Sequence, residues 1–348
     1  MTAELHLHDR LNDPMAGQAG GTGFVGTDLP IDLLAATGRP FGHLPWRSEG
    51  ATPWADRWLE SGFPQWTRYI LEDWHAGRFD LLSKVVFSRA DDASQRLYYY
   101  VRELQARGEL AGPAPLVFDI ALLPRATSLE HTVAALRGLA REFDVGTAQL
   151  LDGIARVNAL RQRLTAIQAA RTGEGACHER LGRAVLFSDA SSWIEGFTAP
   201  VAGLLKPRVL LAGSVPPDDR LHRAIEEAGA TVVAEAHVHG LWRLGEPVTV
   251  ASQEPWQLLA RHLRGNSVAP RSVIDRSHWI VAQARKARAQ AVVLWLTREE
   301  EGLAWHVPAQ RRALQEAGIA CLMLTARHWH ADDGALVEIG TFCRETFP

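Results

Sequence analysis

Four histidines form two His-x-His pairs in the second half of the chain, each after an apolar run typical of a buried strand. The pairs are His237 with His239 and His328 with His330. In an extended segment alternate side chains face the same side, so each pair could direct two imidazoles at one ion. Imidazole and nearby carboxylates suit zinc, iron(II) or manganese, which predicts a divalent-metal site at these four residues. Because the chain has 14 histidines, the alternative is a polar, water-filled cleft whose rings are satisfied by backbone carbonyls.

Acid–base chemistry is a second interpretation of the same residues, because histidine titrates near neutral pH. His237 or His328 opposite a carboxylate such as Asp91 or Glu300 would form the dyad. The candidate catalytic residues are therefore His237, His239, Glu300 and His328. The sequence has neither a GxSxG nor an HExxH motif, so the prediction depends on where the strands end.

The segment from Arg208 to Trp242 must position the first histidine pair. An apolar run at 209–212 predicts a buried strand, the prolines and aspartates at 216–219 open a helix, and 231–234 forms the next strand. Such a βαβ unit has parallel strands and a right-handed connection. Ligands of these sheets lie beyond the carboxyl ends of the strands, which here are the loops at Ser214 and at 237–240.

The alternation of strands and helices extends over most of the chain and predicts an α/β fold. We expect two Rossmann-like lobes with parallel sheets, joined by a helical segment, with a cleft between the lobes. The predicted parts are a flexible leader (1–25), an N-terminal α/β lobe (26–125), a helical bridge (126–204) and a C-terminal α/β lobe (205–348). Within the bridge, 170–182 is predicted as a loop with a turn and 183–202 as a helix. Four strand ends of the second lobe should meet at one edge, bringing Ser214, the two histidine pairs and Glu299–Glu301 together.

Composition indicates an ordinary globular protein. Of the 348 residues, 47% are hydrophobic and 22% are charged, and this length favours two or three domains. The net charge of −3 argues against non-specific nucleic-acid binding. We expect no membrane helix, because no stretch of about 18 apolar residues occurs, and no secretory signal, hence a cytoplasmic location. The cysteines, Cys177, Cys321 and Cys343, form no CxxC pair and indicate neither a disulfide framework nor a thiolate-bound metal.

Five tryptophans fall between positions 46 and 74, namely Trp46, Trp54, Trp58, Trp66 and Trp74. Packing between helices is the favoured interpretation, because aromatic side chains usually stabilise cores. An aromatic wall for a flat substrate or a partner surface is the alternative.

The sequence resembles the subunits of 2-hydroxyacyl-CoA dehydratases and of ATP-dependent benzoyl-CoA reductases, from about residue 24 to the end. Five segments in order carry the resemblance: PIDLLAATGRPFGHL, GIARVNALRQRL, RVLLAGS with IEEAGATVVAEAHVHG, HWIVAQARKARAQAVVLWL and PAQRRALQEAGIACLMLT. The resemblance implies two α/β lobes around a cleft that holds a 4Fe–4S cluster on three cysteines. It also implies a heterodimer of related subunits, an ATP-hydrolysing activator that supplies one electron, and an acyl-CoA substrate.

The sequence departs from that family where the cluster cysteines should stand. The matching positions are Ala90 before Asp91, Val238, and Glu300. Iron–sulfur clusters are held by thiolates, which alanine and valine cannot supply. A family-type cluster on this chain is therefore not expected. Four cleft positions match the family's cluster region: Ser214, Ala90, Asp91 and Val238.

Three hypotheses follow. The first, which we favour, is a subunit without its own cluster that acts with a related partner subunit on an acyl thioester. The second is a stand-alone enzyme that uses the histidine-rich cleft, with a metal or as acid and base. The third is a non-catalytic module that binds acyl-CoA or a carrier-bound acyl group through the tryptophan-rich segment. The expected assembly is a heterodimer with a related subunit or a homodimer.

Overall fold

The computed structural model describes residues 19–171, 175–184, 206–250 and 254–348. Their packing divides them into two units. Unit 1 contains residues 19–165, 184, 244–250 and 254–273, and unit 2 contains 166–171, 175–183, 206–243 and 274–348. In the described part of the chain, no helix is long and apolar enough to span a membrane.

Strands and helices alternate in both units. The strands are β1 (Thr22–Val25), β2 (Phe41–His43), β3 (Lys84–Ser88), β4 (Ala114–Phe118), β5 (Arg208–Gly213), β6 (Thr231–Ala236), β7 (Ala291–Thr297) and β8 (Ala320–Arg327). The helices are α1 (Ile31–Ala36), α2 (Gln65–His75), α3 (Asp92–Ala106), α4 (Ala126–Glu142), α5 (Thr147–Ala169), α6 (Gly175–Ala184), α7 (Arg220–Glu227), α8 (Pro255–Asn266), α9 (Arg276–Lys286), α10 (Glu301–Ala304), α11 (Val307–Glu316) and α12 (Ala335–Thr346). Short 3-10 turns occupy Ala55–Arg57 and Leu241–Leu244.

Each unit is built on one parallel four-stranded sheet. The strand order is β2-β1-β3-β4 in unit 1 and β6-β5-β7-β8 in unit 2. The central strands β3, β5 and β7 contain uninterrupted apolar runs. Every residue of β7 is buried, as a strand covered on both faces requires. In each sheet the second strand lies on one side of the first strand, and the third and fourth strands lie on its other side. This is the doubly wound arrangement. The α/β fold with two parallel sheets is therefore confirmed.

Helix starts and faces follow from local chemistry. Asp91 caps α3 by accepting from the Ser94 amide at 2.7 Å, and Asp275 accepts from two amides at the start of α9, as N-cap aspartates do. Helix α7 buries Leu221 and Ile225 one turn apart, and His222 is also fully buried.

The structural units do not coincide with the segments predicted from sequence. Helix α4, most of α5 and the segment 244–273 all belong to unit 1. The reason is tertiary contact: Arg264 of α8 donates to the backbone carbonyls of Ala121 and Leu123, both at 2.8 Å. Arg161 of α5 forms a buried bidentate pair with Asp32, both distances 2.7 Å. The helical bridge is therefore part of the unit that contains β1–β4, together with a segment that sequence alone had assigned to the second lobe.

Two local predictions are corrected. Residues 22–25, assigned to the flexible leader, form β1, which is buried between β2 and β3. The segment 170–182, predicted as a loop with a turn, contains most of α6. Its Leu181 and Cys177 are buried, and this burial stabilises a helix that begins at a glycine, Gly175. The predicted helix at 183–202 lies almost entirely outside the described residues.

Candidate functional site

The carboxyl ends of β5 and β7 meet as the sequence predicted. The Ser214 amide donates to the Trp295 carbonyl at 2.8 Å, and the Thr297 amide donates to the Ser214 hydroxyl oxygen at 3.1 Å. This close approach of the two strand ends requires glycine at position 213, because a Cβ on Gly213 would lie 2.1 Å from the Trp295 carbonyl oxygen. Ser214 is buried and fixes the loop after β5 to the end of β7. Its contacts are those of a structural hydroxyl at the switch point of the sheet.

The loop after β8 returns to the end of β5. The indole Nε1 of Trp329 donates to the Val215 carbonyl at 3.3 Å, and the Arg220 guanidinium donates to the His330 carbonyl at 2.6 Å. His328 is exposed, and its Nδ1 lies 3.0 Å from an Asp332 carboxylate oxygen. The loop that carries His328 and His330 therefore contacts the β5 loop through Trp329 and the first residue of α7 through the His330 carbonyl, and His328 pairs with Asp332 of its own loop.

A polar pocket lies at the ends of β5 and β6, beneath α6. Its enclosed space is about 10 Å³, which is room for about one water molecule. Eight described residues from four segments line it: His178, Glu179, Gly182, Arg183, Val215, Glu235, His237 and His239. The sequence predicted the two histidines after β6, and the structure shows that α6 completes the wall.

A buried ion pair supports the floor of this pocket. Arg171 donates to both carboxylate oxygens of Glu235, at 2.8 and 2.6 Å. The two side chains are 1% and 2% exposed, and His222 Nε2 lies 3.1 Å from the same carboxylate. Burial alone would raise the pKa of Glu235, but Arg171 and the hydrogen bond with His222 hold it well below the ordinary value. Glu235 is therefore a fixed anion whose charge is matched by Arg171.

His237 is held in one neutral tautomer. The His239 amide donates to His237 Nδ1 at 3.1 Å, so the ring proton must be on Nε2. Burial lowers the pKa of His237 to about 3, and Arg183 and Arg243 add to this shift against the opposing charge of Glu235. The ring is thus neutral across the neutral pH range, where it can donate a hydrogen bond but cannot alternate between charged and neutral forms.

The Nε2 atom of His237 is buried without a hydrogen-bond partner among the described residues. A buried donor left unsatisfied costs about 1–3 kcal/mol, so most such groups in proteins have a partner. His237 lines the pocket, which places this donor where a ligand or a water molecule could accept from it. His239, equally buried, belongs to the same wall.

The candidate residues of unit 1 have structural contacts. Asp91 accepts from the amide and the hydroxyl of Ser94, at 2.7 and 2.8 Å, and burial raises its pKa. Ala90 is fully buried, and its amide donates to the Ser88 hydroxyl oxygen at 2.9 Å. Gly26 approaches this turn so closely that a Cβ there would lie 2.8 Å from an Asp91 carboxylate oxygen. These contacts fix the turn between β3 and α3.

The remaining candidate positions of unit 2 lie in loops after strands. Val238 is half-buried between the two histidines. Glu300 precedes α10 and is half-buried; burial lowers the pKa of Arg276, and the Glu300 carboxylate opposes that shift. In the described parts of the chain, no group of three His, Cys, Asp or Glu side chains is placed to hold a metal ion. The divalent-metal site at His237, His239, His328 and His330 stays a prediction.

Sequence reasoning missed several residues of the pocket. Three residues of α6 were overlooked because most of their segment was predicted as a loop: His178, Glu179 and Arg183. The signal for the helix was the spacing of Cys177 and Leu181, which are one helical turn apart. Arg171 and His222 were also missed, since neither stands in a motif. Their pairing with Glu235 depends on the positions of α5, α7 and β6 in the folded unit.

The tryptophan-rich segment packs mainly within unit 1. Trp74 is buried, and its Nε1 donates to the Ala111 carbonyl at 2.9 Å. Trp54 is half-buried and stacks on His75 with ring centroids 4.1 Å apart. The ring centroids of Trp46 and Trp66 lie 6.3 Å apart. These contacts agree with packing between helices and turns.

Two units with doubly wound parallel sheets, and a polar pocket at strand ends of the second, define the protein as an α/β protein of the Rossmann-like class. The sequence model described as "2-hydroxyglutaryl-CoA dehydratase, D-component" matches residues 27–338. That match covers most of the chain, so the protein belongs to this family, as its five segments predicted. A search of curated proteins gave no significant match.

Proposed function

We propose that this protein is a 2-hydroxyacyl-CoA dehydratase-type subunit without its own iron–sulfur cluster, which acts with a related partner subunit on an acyl thioester. Family membership supports the dehydratase-like subunit. The residue types at the family's three cluster positions support the finer proposal. The resemblance places Ala90, Val238 and Glu300 at those positions, and none of them carries a thiol. This substitution is the single observation that carries the proposal.

The three positions do not fit a cluster of the family type. The methyl group of Ala90 is fully buried and has no donor atom, and Val238 is equally inert. Glu300 offers only carboxylate oxygens, which suit hard cations rather than iron bound to sulfide. We therefore derive no step of a reaction through a cluster on this chain.

The cysteines that the chain does have are not arranged to replace them. Cys177 lies on α6, Cys321 on β8 and Cys343 on α12, and none is in a disulfide. Burial raises the pKa of the Cys321 thiol, and it raises that of Cys343 to about 11. The three cysteines lie on three different elements, and none stands at a position that the resemblance assigns to a cluster cysteine. A cysteine-bearing paralogue is the partner that the proposal requires.

Anaerobic purification tests this proposal. The chain is expressed alone and together with a cysteine-bearing paralogue from the same source, and each preparation is measured for iron, acid-labile sulfide and visible absorbance. We expect a colourless chain alone and a brown 1:1 complex in the co-expression. Dehydration of a 2-hydroxyacyl thioester should require the complex, a reductant and ATP with the activator.

A matched control separates adventitious iron from a cluster. The variant with Cys177→Ala, Cys321→Ala and Cys343→Ala should give a complex with the same iron content as the unchanged chain. About four irons on the chain alone, lost in this triple variant, would overturn the proposal, because the chain would then hold its own cluster.

A stand-alone enzyme that uses the histidine-rich pocket is the second candidate. The buried Nε2 donor of His237, which has no hydrogen-bond partner among the described residues, favours it. In that case the chain alone should convert an acyl substrate, and His237→Ala should abolish the activity. An activity that appears only with the partner argues for the subunit.

A further inference from the structure

The pocket beneath α6 has room for a group no larger than a water molecule. Its enclosed space is about 10 Å³, and a cavity of about 10–15 Å³ is the smallest that holds one water molecule. His237 lines this pocket, and its Nε2 atom has no hydrogen-bond partner among the described residues. The residue is 8% exposed, and folded proteins rarely leave a buried donor unpaired. Size and chemistry thus indicate one small group that accepts a hydrogen bond.

The tautomer of His237 decides how such a group is bound. The His239 amide donates to Nδ1 at 3.1 Å, so the ring proton is on Nε2, which can only donate. A metal ion would need a lone pair on Nε2 and would displace the His239 amide from Nδ1. Within the part of the chain that the structure describes, no three His, Cys, Asp or Glu side chains are placed to hold such an ion. The ring therefore favours an oxygen acceptor over a metal ion.

The charges in the wall of the pocket are matched in pairs, which favours a neutral group. Arg171 binds both oxygens of the Glu235 carboxylate, at 2.8 and 2.6 Å. Likewise, the Arg183 guanidinium donates to the Glu179 carboxylate. Burial lowers the pKa of His237 most, and the Glu235 carboxylate and the Arg183 guanidinium act on it in opposite directions. An ion in the pocket would add a charge without a partner, and a buried unpaired charge is costly.

Glu179 of α6 can accept a hydrogen bond from the bound group. Its side chain is 6% exposed and lines the pocket, and an ionised carboxylate offers about four acceptor sites on its two oxygens. Arg183 donates to one of these oxygens. The Glu235 carboxylate is more fully used, because Arg171 contacts both of its oxygens and His222 contacts one of them. Glu179 is therefore the better acceptor in the wall.

We propose that the pocket beneath α6 binds one water molecule, which accepts a hydrogen bond from the Nε2–H of His237 and donates one to the Glu179 carboxylate. This water joins the loop after β6 to α6, and a buried water with such partners is a lasting part of a structure. His237 is then a positioning residue that holds the water and α6, and it makes or breaks no covalent bond. The site lies within unit 2 and requires neither a partner subunit nor a cluster.

Nuclear magnetic resonance on the full, unchanged chain tests the site directly. Long-range proton–nitrogen spectra identify the tautomer of His237, and cross-peaks between its Nε2 proton and water are recorded with the nuclear and the rotating-frame Overhauser effects. We expect the Nε2–H form and cross-peaks of opposite sign in the two experiments, which identify a water molecule that tumbles with the protein. Cross-peaks of the same sign would mean that the proton exchanges with bulk water, and would overturn the inference.

Substitutions of His237 separate hydrogen bonding from packing. His237→Phe keeps a ring but removes the donor, and His237→Gln retains an N–H donor. Magnetic relaxation dispersion of the water oxygen counts the long-lived water molecules in each protein. We expect the count to fall by one in His237→Phe and to stay unchanged in His237→Gln. His131→Phe, at an exposed histidine in unit 1, is the matched control and should leave the count unchanged.

Substitutions of Glu179 test the other end of the bridge. Glu179→Gln keeps a side-chain oxygen that accepts, so the long-lived water should be retained. Glu179→Leu removes the acceptor, so the count should fall by one. A folded Glu179→Leu chain that retains the water would overturn the proposed bridge to α6.

Three further results would overturn the inference. The first is an Nδ1–H tautomer of His237 in the unchanged chain. The second is the absence of a water cross-peak at its Nε2 proton. The third is an unchanged water count in a folded His237→Phe chain. Because the first two use the unchanged chain, failure of a variant to fold does not protect the proposal, and none of these results depends on iron content or on a partner.

Discussion

The pair Arg171–Glu235 shows how a single buried contact can anchor a site. Both side chains are almost fully buried and the pairing is bidentate. Removal of one partner leaves an uncompensated charge in the interior, which typically costs 3–5 kcal/mol. Because Glu235 also contacts His222 and lines the pocket, the pair determines the position of the β6 end and therefore of His237.

The pair predicts an acid-dependent stability. The pKa of Glu235 in the folded protein lies well below its ordinary value of 4.5. The ionised carboxylate therefore stabilises the fold fully above pH 4.5. This stabilisation is lost as the pH falls from 4.5 towards the folded-state pKa. Glu235→Gln should lower the free energy of unfolding by about 3–5 kcal/mol at neutral pH. Below pH 4.5 the difference in the free energy of unfolding between the unchanged protein and Glu235→Gln should shrink by about 1.4 kcal/mol per pH unit. Urea unfolding at a series of pH values measures both quantities, and a difference that stays constant down to acid pH would contradict the assignment.

The cysteines give a second prediction at this scale. Cys177 and Cys343 are buried, and Cys321 is half-buried on the edge strand β8. Cys343 has a pKa of about 11, so little thiolate is present at pH 8. We expect iodoacetamide to label Cys321 first in the native protein and Cys343 only after unfolding, as read by peptide mass spectrometry. Rapid labelling of Cys343 in the folded chain would contradict the packing of α12.

At the scale of elements, turns rather than strands control the geometry of the pocket. Gly240 ends the loop that holds His237 and His239, and a Cβ there would lie 2.5 Å from the backbone carbonyl oxygen of Glu235. Backbone cannot move aside as a flexible side chain can. The sequence of this loop is therefore restricted by the strand that precedes it.

Substitution of glycine tests this restriction. Gly240→Ala should destabilise the protein by about 1–3 kcal/mol through steric overlap and should disturb the His237 resonances. The control is Gly302→Ala in α10, where a Cβ meets nothing within 4 Å and alanine favours the helix by up to about 1 kcal/mol. Thermal unfolding of both variants measures the contrast. An equal loss of thermal stability in Gly240→Ala and Gly302→Ala would mean that the loop has room for a side chain at position 240.

The N-cap of α3 gives a further prediction. Asp91→Ala removes the acceptor for the Ser94 amide and should cost about 1 kcal/mol, whereas Asp91→Ser keeps an acceptor and should cost less. This order is expected because the observed contacts of Asp91 are those of a helix cap. Chemical denaturation of the two variants provides the measurement. A loss that is the same for serine and alanine would indicate that the carboxylate itself is required.

The elements differ in how far the sequence predicts them. The runs that became β5 and β6 are apolar and flank a helix signal, so the sequence pattern alone identified them. Strand β1 was missed because it has only four residues and is preceded by glycines, and its pairing with β2 and β3 is a long-range contact. Helix α6 was missed for a similar reason, since the buried side chains that stabilise it find their partners on other elements.

The candidate site was predictable in its location but not in its chemistry. The βαβ pattern indicated that His237 and His239 follow a strand end, which the structure confirms. The low pKa of His237 could not be predicted, because it arises from burial and from Arg183 and Arg243, whose positions depend on the tertiary fold. The same is true of Asp91, whose cap geometry becomes visible only beside Ser94.

At the scale of the whole molecule, each unit contains a buried bidentate pair of arginine and carboxylate. In unit 1 it is Arg161 with Asp32, whose side chains are 2% and 1% exposed, and Arg161 also donates to the Leu244 carbonyl at 2.8 Å. In unit 2 it is Arg171 with Glu235. Each pair joins segments that are distant in sequence within its own unit.

This arrangement predicts that the two pairs stabilise different halves of the molecule. Asp32→Asn and Glu235→Gln make the same chemical change, from carboxylate to amide, in units 1 and 2 respectively. Since local unfolding proceeds in cooperative units, we expect faster backbone hydrogen exchange in β1–β4 for Asp32→Asn and in β5–β8 for Glu235→Gln. Hydrogen exchange followed by peptide mass spectrometry resolves the two sheets in one experiment, and the unchanged chain supplies the reference rates. Equal acceleration in both sheets for either variant would show that the two units unfold together and would contradict this prediction.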